Sequence, residues 1–335
     1  MKKFVLITGG LGFIGSNVAL QILNDTQLSV LIVDNLSNSL SSTFYKLKSN
    51  YKDRVVFVNS CFSEFQFSDH SDKTISLIIH LAAFKSLPES ISDPIKYYDN
   101  NVCKSIKLIR DSYDRGIKNF IFSSTGTVYK SSKENLVEDS VLQPLSPYAK
   151  SKFIIEEVLK DMSVMDNSFK YIVFRFFNIA GANSEMLLGD LPESNHVIPK
   201  LVSSGLSVDP SIAIYGDSYD TLDGTCVRDY VHVKDLAIAH IKSIDYLLKS
   251  GKSNIFNIGS STGYSVKEIY KNIENLLGIK FNVNICGPRI GDLPRTVCDN
   301  QKILRELGFS PKYDLKSILE DTIMFSRKRI KLGEV

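Results

Sequence analysis

Tyr148 and Lys152 stand four residues apart in Ser146-Pro147-Tyr148-Ala149-Lys150-Ser151-Lys152, after the turn Pro144-Leu145-Ser146-Pro147 and ahead of an amphipathic run over residues 153–159. On a helix, residues i and i+4 share a face, so a phenol and an ammonium can approach one point. A phenol ordinarily loses its proton near pH ~10, and a fixed cation beside it favours the phenolate. A shift of about three units corresponds to roughly 4 kcal/mol and would make a tyrosine a base at neutral pH. The same spacing also occurs on ordinary surface helices, so the surroundings must decide.

A second constellation is Thr8-Gly9-Gly10-Leu11-Gly12-Phe13-Ile14-Gly15. It follows the apolar run Phe4-Val5-Leu6-Ile7 and precedes a helical pattern over residues 16–23. Gly10-x-Gly12-x-x-Gly15 between a strand and a helix is the dinucleotide spacing, in the context that spacing requires. Glycines let the backbone approach a pyrophosphate, and the helix amino terminus offers free N–H groups and a positive dipole end. The next apolar run, Ser29-Val30-Leu31-Ile32-Val33, ends in Asp34, 19 residues after Gly15. A carboxylate there accepts from ribose hydroxyls and repels a 2′-phosphate. Asn35-Leu36-Ser37-Asn38-Ser39 follows, with no arginine directly after Asp34. The expected cofactor is therefore NAD.

These residues need strands and helices to hold them. Val55-Val56-Phe57-Val58, Leu77-Ile78-Ile79, Asn119-Phe120-Ile121-Phe122 and Tyr171-Ile172-Val173-Phe174 read as further strands. They are apolar without alternation, as strands covered on both faces are. One long helix is expected over residues 94–113. Strands alternating with helices imply an α/β fold: a Rossmann-like, doubly wound parallel sheet. Ser123-Ser124-Thr125 would put hydroxyls at a carboxyl strand end, facing the ligand crevice. His80, at another strand end, reads as packing. Beyond Asn178 the pattern changes: residues 181–195 and 216–228 read as loops. We expect an NAD-binding domain over residues 1–177 and a smaller C-terminal α/β substrate domain over 178–335. Part of the large sheet would return near residues 230–260, where Asn254-Ile255-Phe256-Asn257-Ile258-Gly259 is strand-like.

Composition narrows the class. A hydrophobic share of 43% with 23% charged residues is that of an ordinary globular chain. The formal charge of +3 is too small and scattered for a nucleic-acid surface. No apolar run nears the roughly 20 residues needed to span a bilayer. Glycines 9, 10, 12 and 15 interrupt the apolar stretch after Met1-Lys2-Lys3, which argues against a signal peptide. Cys61, Cys103, Cys226, Cys286 and Cys298 form no C-x-x-C pair, and the five histidines lack ligand spacing. Reduced thiols, a cytoplasmic setting and no metal are expected.

Taken together, these residues resemble the extended short-chain dehydrogenases, and within them the UDP-galactose (UDP-glucose) 4-epimerases, over residues 8–307. Further markers are Tyr97-Tyr98-Asp99-Asn100-Asn101-Val102, Asp223-Gly224-Thr225-x-Val227-Arg228-Asp229-Tyr230-Val231-His232-Val233 and Arg289-x-Gly291-Asp292-Leu293-Pro294. The glycine-rich and Tyr-x-x-x-Lys motifs belong to the wider superfamily; the last two are more specific to nucleotide-sugar enzymes. The resemblance implies that Tyr148 is the catalytic base, that Lys152 holds the nicotinamide ribose, and that Thr125 bonds the sugar 4-OH in place of a serine. It implies that Gly9, Gly12, Phe13, Ile14, Gly15, Asp34, Asn35, Asn38, Ser39, Lys85 and Asn100 bind the cofactor, together with Tyr148 and Lys152. Lys85, Asn178, His196, Val197, Tyr230 and Thr296 would meet the substrate. Arg228 and Arg289 would grip its diphosphate by charge-assisted bonds, and Asp292 the uridine ribose. It further implies a homodimer through the helix near residues 94–113 and the one opening at Tyr148, and a place in polysaccharide biosynthesis.

Departures from the family pattern are informative. Cys61 replaces an aspartate that accepts from the adenine amine. Gly126 and Lys130 replace an alanine and a glycine, and His196 an asparagine. Thr296 is small where a tyrosine is associated with excluding N-acetylated sugars, which implies that UDP-N-acetylglucosamine is accepted as well as UDP-glucose. Gly126-Thr127 follows Thr125 where 4,6-dehydratases need an Asp-Glu pair, so that elimination lacks its acid and base. UDP-glucuronate 4-epimerisation and a non-catalytic NAD-sensing role remain as alternatives.

Overall fold

The computed structural model describes residues 2–183, 185, 187–191, 196–249, 251–289 and 291–334. The polar stretch expected at 181–195 therefore lies partly outside the described residues.

The chain opens with β1 (Lys3–Thr8), α1 (Phe13–Asp25), β2 (Ser29–Asp34), α2 (Ser41–Tyr51), β3 (Val55–Asn59) and β4 (Thr74–His80). After α3 (Leu87–Ser92), the single long helix expected from the sequence is in three parts. These are α4 (Pro94–Tyr98), a π-helical turn over Asp99–Cys103, and α5 (Lys104–Asp114). Then come β5 (Asn119–Thr125), α6 (Pro147–Met165) and β6 (Lys170–Phe176).

The second half begins with β7 (Asn178–Ala180), β8 (Ala182–Asn183), β9 (Leu188–Gly189), α7 (Val197–Gly205) and β10 (Ser211–Tyr215). It continues with β11 (Val227–His232), α8 (Val233–Leu248), β12 (Asn254–Ile258), β13 (Gly263–Ser265), α9 (Val266–Leu277), β14 (Asn282–Cys286) and β15 (Arg295–Thr296). Two helices close the chain, α10 (Gln301–Leu307) and α11 (Leu315–Lys331). Residues 182–189, read as loop from their polarity, thus include the short antiparallel pair β8–β9.

Seven strands form one sheet in the order β12-β6-β5-β4-β1-β2-β3, every neighbour parallel. The order reverses between β1 and β4, so the crevice at their carboxyl ends is where a doubly wound sheet takes its ligand. Both faces are covered. Val5 and Ile7 of β1 pack in one apolar layer with α1 and α8 residues such as Val18 and Leu236, while Phe4 and Leu6 pack in the other with Leu108 and Ile155. This explains why the strands read as continuous apolar runs. A third cluster, around Ile198, Leu201, Tyr230, Ile269 and Ile318, forms the core of the C-terminal part. β11 links the parts: it pairs with β7, with β13 and with β15. No helix among the described residues is long and apolar enough to cross a membrane.

Candidate active site

Ser146 caps α6, accepting from the Ala149 N–H at 3.1 Å, and Pro147 occupies the first turn. A capping serine followed by proline starts the helix here because proline has no N–H to lose. Tyr148 is consequently in the first turn and Lys152 one turn on, both facing β5. The Thr125 hydroxyl lies near enough to the Tyr148 phenol to draw its pKa down, and contacts Thr127 Oγ1 at 3.0 Å. Thr127 N–H donates to Thr125 Oγ1 at 3.2 Å, which helps fix that hydroxyl. The Tyr97 ring stands edge-on to Tyr148, with centroids 6.5 Å apart.

Two expectations are corrected here. Lys152 does not turn towards the Tyr148 hydroxyl: its Nζ donates to the Ser123 carbonyl at 2.8 Å and lies 4.9 Å from the centre of the Phe122 ring. A buried ammonium must be hydrogen-bonded, and that carbonyl partners it. Burial pushes the Tyr148 phenol up to about 12 rather than down, with the Thr125 hydroxyl pulling the other way. Burial also lowers Lys152 to about 7, opposed by the Glu156 charge. Nor do all three strand-end hydroxyls face the crevice. Ser123 Oγ donates to the His80 carbonyl, Ser124 Oγ turns to Glu156, and Thr125 is the one that meets Tyr148.

The glycine-rich turn fits a dinucleotide. Gly9 is left-handed at φ +68, and a Cβ on Gly15 would lie 2.2 Å from the Gly9 carbonyl oxygen. Any larger residue at Gly15 would push the turn off the helix start. Gly12 caps α1 with no side-chain hydrogen bond, which leaves the helix N–H groups to a ligand. Phe13 and Ile14 are half-buried in the first turn of α1. Asp34 closes the turn from β2, accepting from Leu11 N–H at 3.0 Å, Leu36 N–H at 2.9 Å and Ser39 Oγ at 2.8 Å. A carboxylate has about four acceptor positions, so a ribose hydroxyl can still be taken. Asn35 and Asn38 are exposed on the loop beyond it. Cys61 is half-buried, 3.3 Å from Ser63 Oγ.

The loop after β4 carries Lys85. Asn101, from the π-helical turn, accepts from Phe84 N–H at 2.9 Å and donates to the Phe84 carbonyl at 3.0 Å and to Ser151 Oγ on α6 at 3.2 Å. Asn100 donates to Asn101 at 3.1 Å. The π turn shifts the helix phase so that both asparagines are buried towards the site, a common device at functional positions. Sequence reasoning singled out Asn100 and missed Asn101; their adjacency was the available signal. Lys85 Nζ is 3.9 Å from Asp190, which also bonds His196 Nδ1. Burial lowers Lys85, and Asp190 offsets this. Asp190 was not anticipated either. Val197, half-buried, opens α7 directly after His196.

The remaining candidates lie on β7, β11, β15 and the loop that precedes β15. Arg228 pairs in register with Thr296, and its guanidinium donates to the Leu293 carbonyl at 2.6 Å and to Asp292 at 3.5 Å. Arg289 is exposed and stacks over the Tyr215 ring at 3.7 Å. Asn178 is exposed at the start of β7. Thr296 is buried, and Tyr230 is buried in the third apolar cluster. A Cβ at Gly291 would meet Leu87 of α3 at 3.4 Å, so this loop rests on the helix that follows Lys85.

Among the described residues no group of three His, Cys, Asp or Glu could hold a metal. What the arrangement can do is hold a dinucleotide at the switch point and present a phenol, a hydroxyl and an ammonium beside it. It can also offer arginines to an anionic group opposite.

Residues 5–259 match the NAD dependent epimerase/dehydratase family. A UDP-glucose 4-epimerase of Rhizobium meliloti is 36% identical over 98% of both chains. A UDP-glucose-4-epimerase of Stenotrophomonas maltophila, solved with NAD and formylated UDP-arabinopyranose, superposes with a TM-score of 0.92 at 31% identity, covering 98% of this chain and 99% of that one. A UDP-Glc/GlcNAc 4-epimerase of Campylobacter jejuni gives 0.82 at 34% identity, covering 98% and 100%.

Proposed function

The chain belongs to the NAD dependent epimerase/dehydratase family, and from that premise we propose that it interconverts UDP-glucose and UDP-galactose at C4 through a 4-keto sugar. It is an isomerase that uses NAD. The observation that carries this reading is the closeness of Thr125, at the end of β5, to Tyr148 in the first turn of α6, on the same sheet as a glycine-rich turn shaped for a dinucleotide. Uronate epimerisation and a non-catalytic sensor have no such observation in their favour.

NAD, when bound, would supply the acceptor and donor of the C4 hydride. Tyr148 takes the proton from O4 and returns it, with Thr125 bonding the same oxygen. Lys152 holds the nicotinamide ribose. Gly9, Gly12, Phe13, Ile14, Gly15, Asp34, Asn35, Asn38, Ser39, Lys85 and Asn100 cradle the rest of the cofactor. Arg228 and Arg289 grip the diphosphate and Asp292 the uridine ribose, so binding strength falls on the nucleotide. The hexose, held more loosely by Asn178, His196 and Val197, is free to turn and present its other face.

The finer substrate range follows from Thr296. It is small where a tyrosine would crowd an N-acetyl group, and we propose that UDP-N-acetylglucosamine is also turned over. Proton NMR of the purified protein with each sugar and no added NAD tests both statements. The axial 4-OH epimer should appear from UDP-glucose and from UDP-N-acetylglucosamine. Thr296→Tyr should lose the second activity about tenfold or more relative to the first. An unchanged ratio would sink the Thr296 argument, and no epimer from any UDP-sugar even after adding NAD would sink the function. The chain is proposed to be cytoplasmic, in keeping with its free cysteines, and homodimeric.

A further inference from the structure

Glu156 lies four residues after Lys152 and eight after Tyr148, so the three share one face of α6. β5 presents Ser123, Ser124 and Thr125 opposite them in succession, and each helix residue meets one. Lys152 bonds the Ser123 carbonyl, Glu156 accepts from Ser124 Oγ, and Tyr148 meets the Thr125 hydroxyl. Glu156 is 2% exposed, and Arg175 of β6, which grips it, is 3% exposed. Arg175 Nε lies 3.2 Å from each carboxylate oxygen and Nη2 lies 2.7 Å from Oε2. Nη1 donates to the Tyr129 hydroxyl at 2.8 Å and to the Glu138 carbonyl at 2.9 Å. Tyr129 in turn donates to Asn257 of β12 at 2.7 Å.

Buried ion pairs are poor stabilisers, because desolvation offsets their attraction and apolar residues of similar volume often serve as well. What apolar residues could not provide is a negative charge fixed one helical turn from a buried ammonium on the same face of α6. They would also lose the hydrogen bond that registers α6 on β5.

We propose that Glu156 is the positioning residue of the Tyr148–Lys152 pair: held by Arg175 and Ser124, it fixes the register of α6 on β5 and supplies the buried countercharge of Lys152. The groups facing Lys152 are Glu156 on α6, Phe122 and Ser123 on β5, and His80 at the end of β4, with Arg175 of β6 paired to Glu156. His80 is neutral, lowered to about 3 by burial and by the Lys152 charge, so Glu156 is the anion of this set. The direction of its effect on Lys152, upward against burial, agrees.

The proposal rests on the epimerase reading only in taking Tyr148 and Lys152 as the working pair. Its test is the titration midpoint of Lys152 in NAD-loaded enzyme labelled with ε-13C-lysine, the resonance being identified by Lys152→Met. Wild type is compared with Glu156→Gln and with Glu156→Met/Arg175→Met, which keeps the volume and strands no charge should the single variant fail to fold. The midpoint should fall by about one pH unit, a tenfold change in proton affinity, in every variant that folds. The pH above which kcat declines should fall with it. A double variant with the wild-type midpoint and wild-type pH profile would overturn the proposal and leave the pair a packing device. Absence of turnover by wild type would reject the epimerase reading, while the Lys152 midpoint would still decide this one.

Discussion

At the Tyr148 hydroxyl two influences oppose each other: burial raises the phenol to about 12, and the Thr125 hydroxyl draws it back. A base at neutral pH therefore depends on its partners, and the nearest is Thr125. Tyr148→Phe should lower turnover by about 10²–10⁴-fold, the usual range for a positioned acid–base group. NAD content, measured after acid extraction, should stay the same. Thr125→Ser should retain most activity and Thr125→Val should not. Full turnover in Tyr148→Phe would move the proton transfer to another group. The spacing of Tyr148 and Lys152 was legible in the sequence because it repeats the helix period. The direction of the Lys152 side chain was not, because a long chain takes whichever acceptor burial leaves it, here the Ser123 carbonyl.

The strands, turns and helices that carry the site were legible wherever local chemistry was unmixed. β1, the glycine-rich turn, α1 and Asp34 follow from an apolar run, a steric requirement at Gly15 and a strand-end carboxylate. The π turn at Asp99–Cys103 was hidden because it inserts a residue without breaking the helical pattern. The Glu156–Arg175 pair was hidden because its partners are 19 residues apart on different elements. Two buried histidines, His80 and His240, have a consequence at this scale. His80 joins β1, β4 and α5 through Thr8 Oγ1 at 2.7 Å and Ser105 Oγ at 2.8 Å. Burial lowers it to about 3, with the Lys152 charge adding to that, and burial lowers His240 to about 4. The unfolded chain, with histidines near pH ~6.5, binds more protons than the folded one below that value, so stability is lost as pH falls from about 6.5 towards 3. His80 alone accounts for up to about 5 kcal/mol of that loss across the whole window. Denaturant titrations from pH 7 to 4 should show a shallower decline for His80→Gln, which should also be less stable at pH 7. Parallel declines would remove His80 from the acid response.

For the whole molecule, the switch point lies at the carboxyl ends of β1 and β4, and α6 serves both the site and the outer surface. Its Ile154 is 36% exposed, and Ile95 on the neighbouring α4 is 74% exposed. Apolar side chains left outward on two adjacent helices are consistent with the homodimer implied by resemblance. Light scattering should give twice the mass of 37.5 kDa, and Ile95→Lys/Ile154→Lys should shift it to one chain. One chain mass for the unaltered protein would refute the dimer. The central claim is that the hydrogen leaving C4 returns to the same carbon from the other side. UDP-glucose deuterated at C4, converted in ordinary water, should yield UDP-galactose that keeps its deuterium, with no solvent label entering when the reaction is run in D₂O. Loss of the label to solvent, or an epimer formed without its C4 hydrogen leaving carbon, would contradict the account.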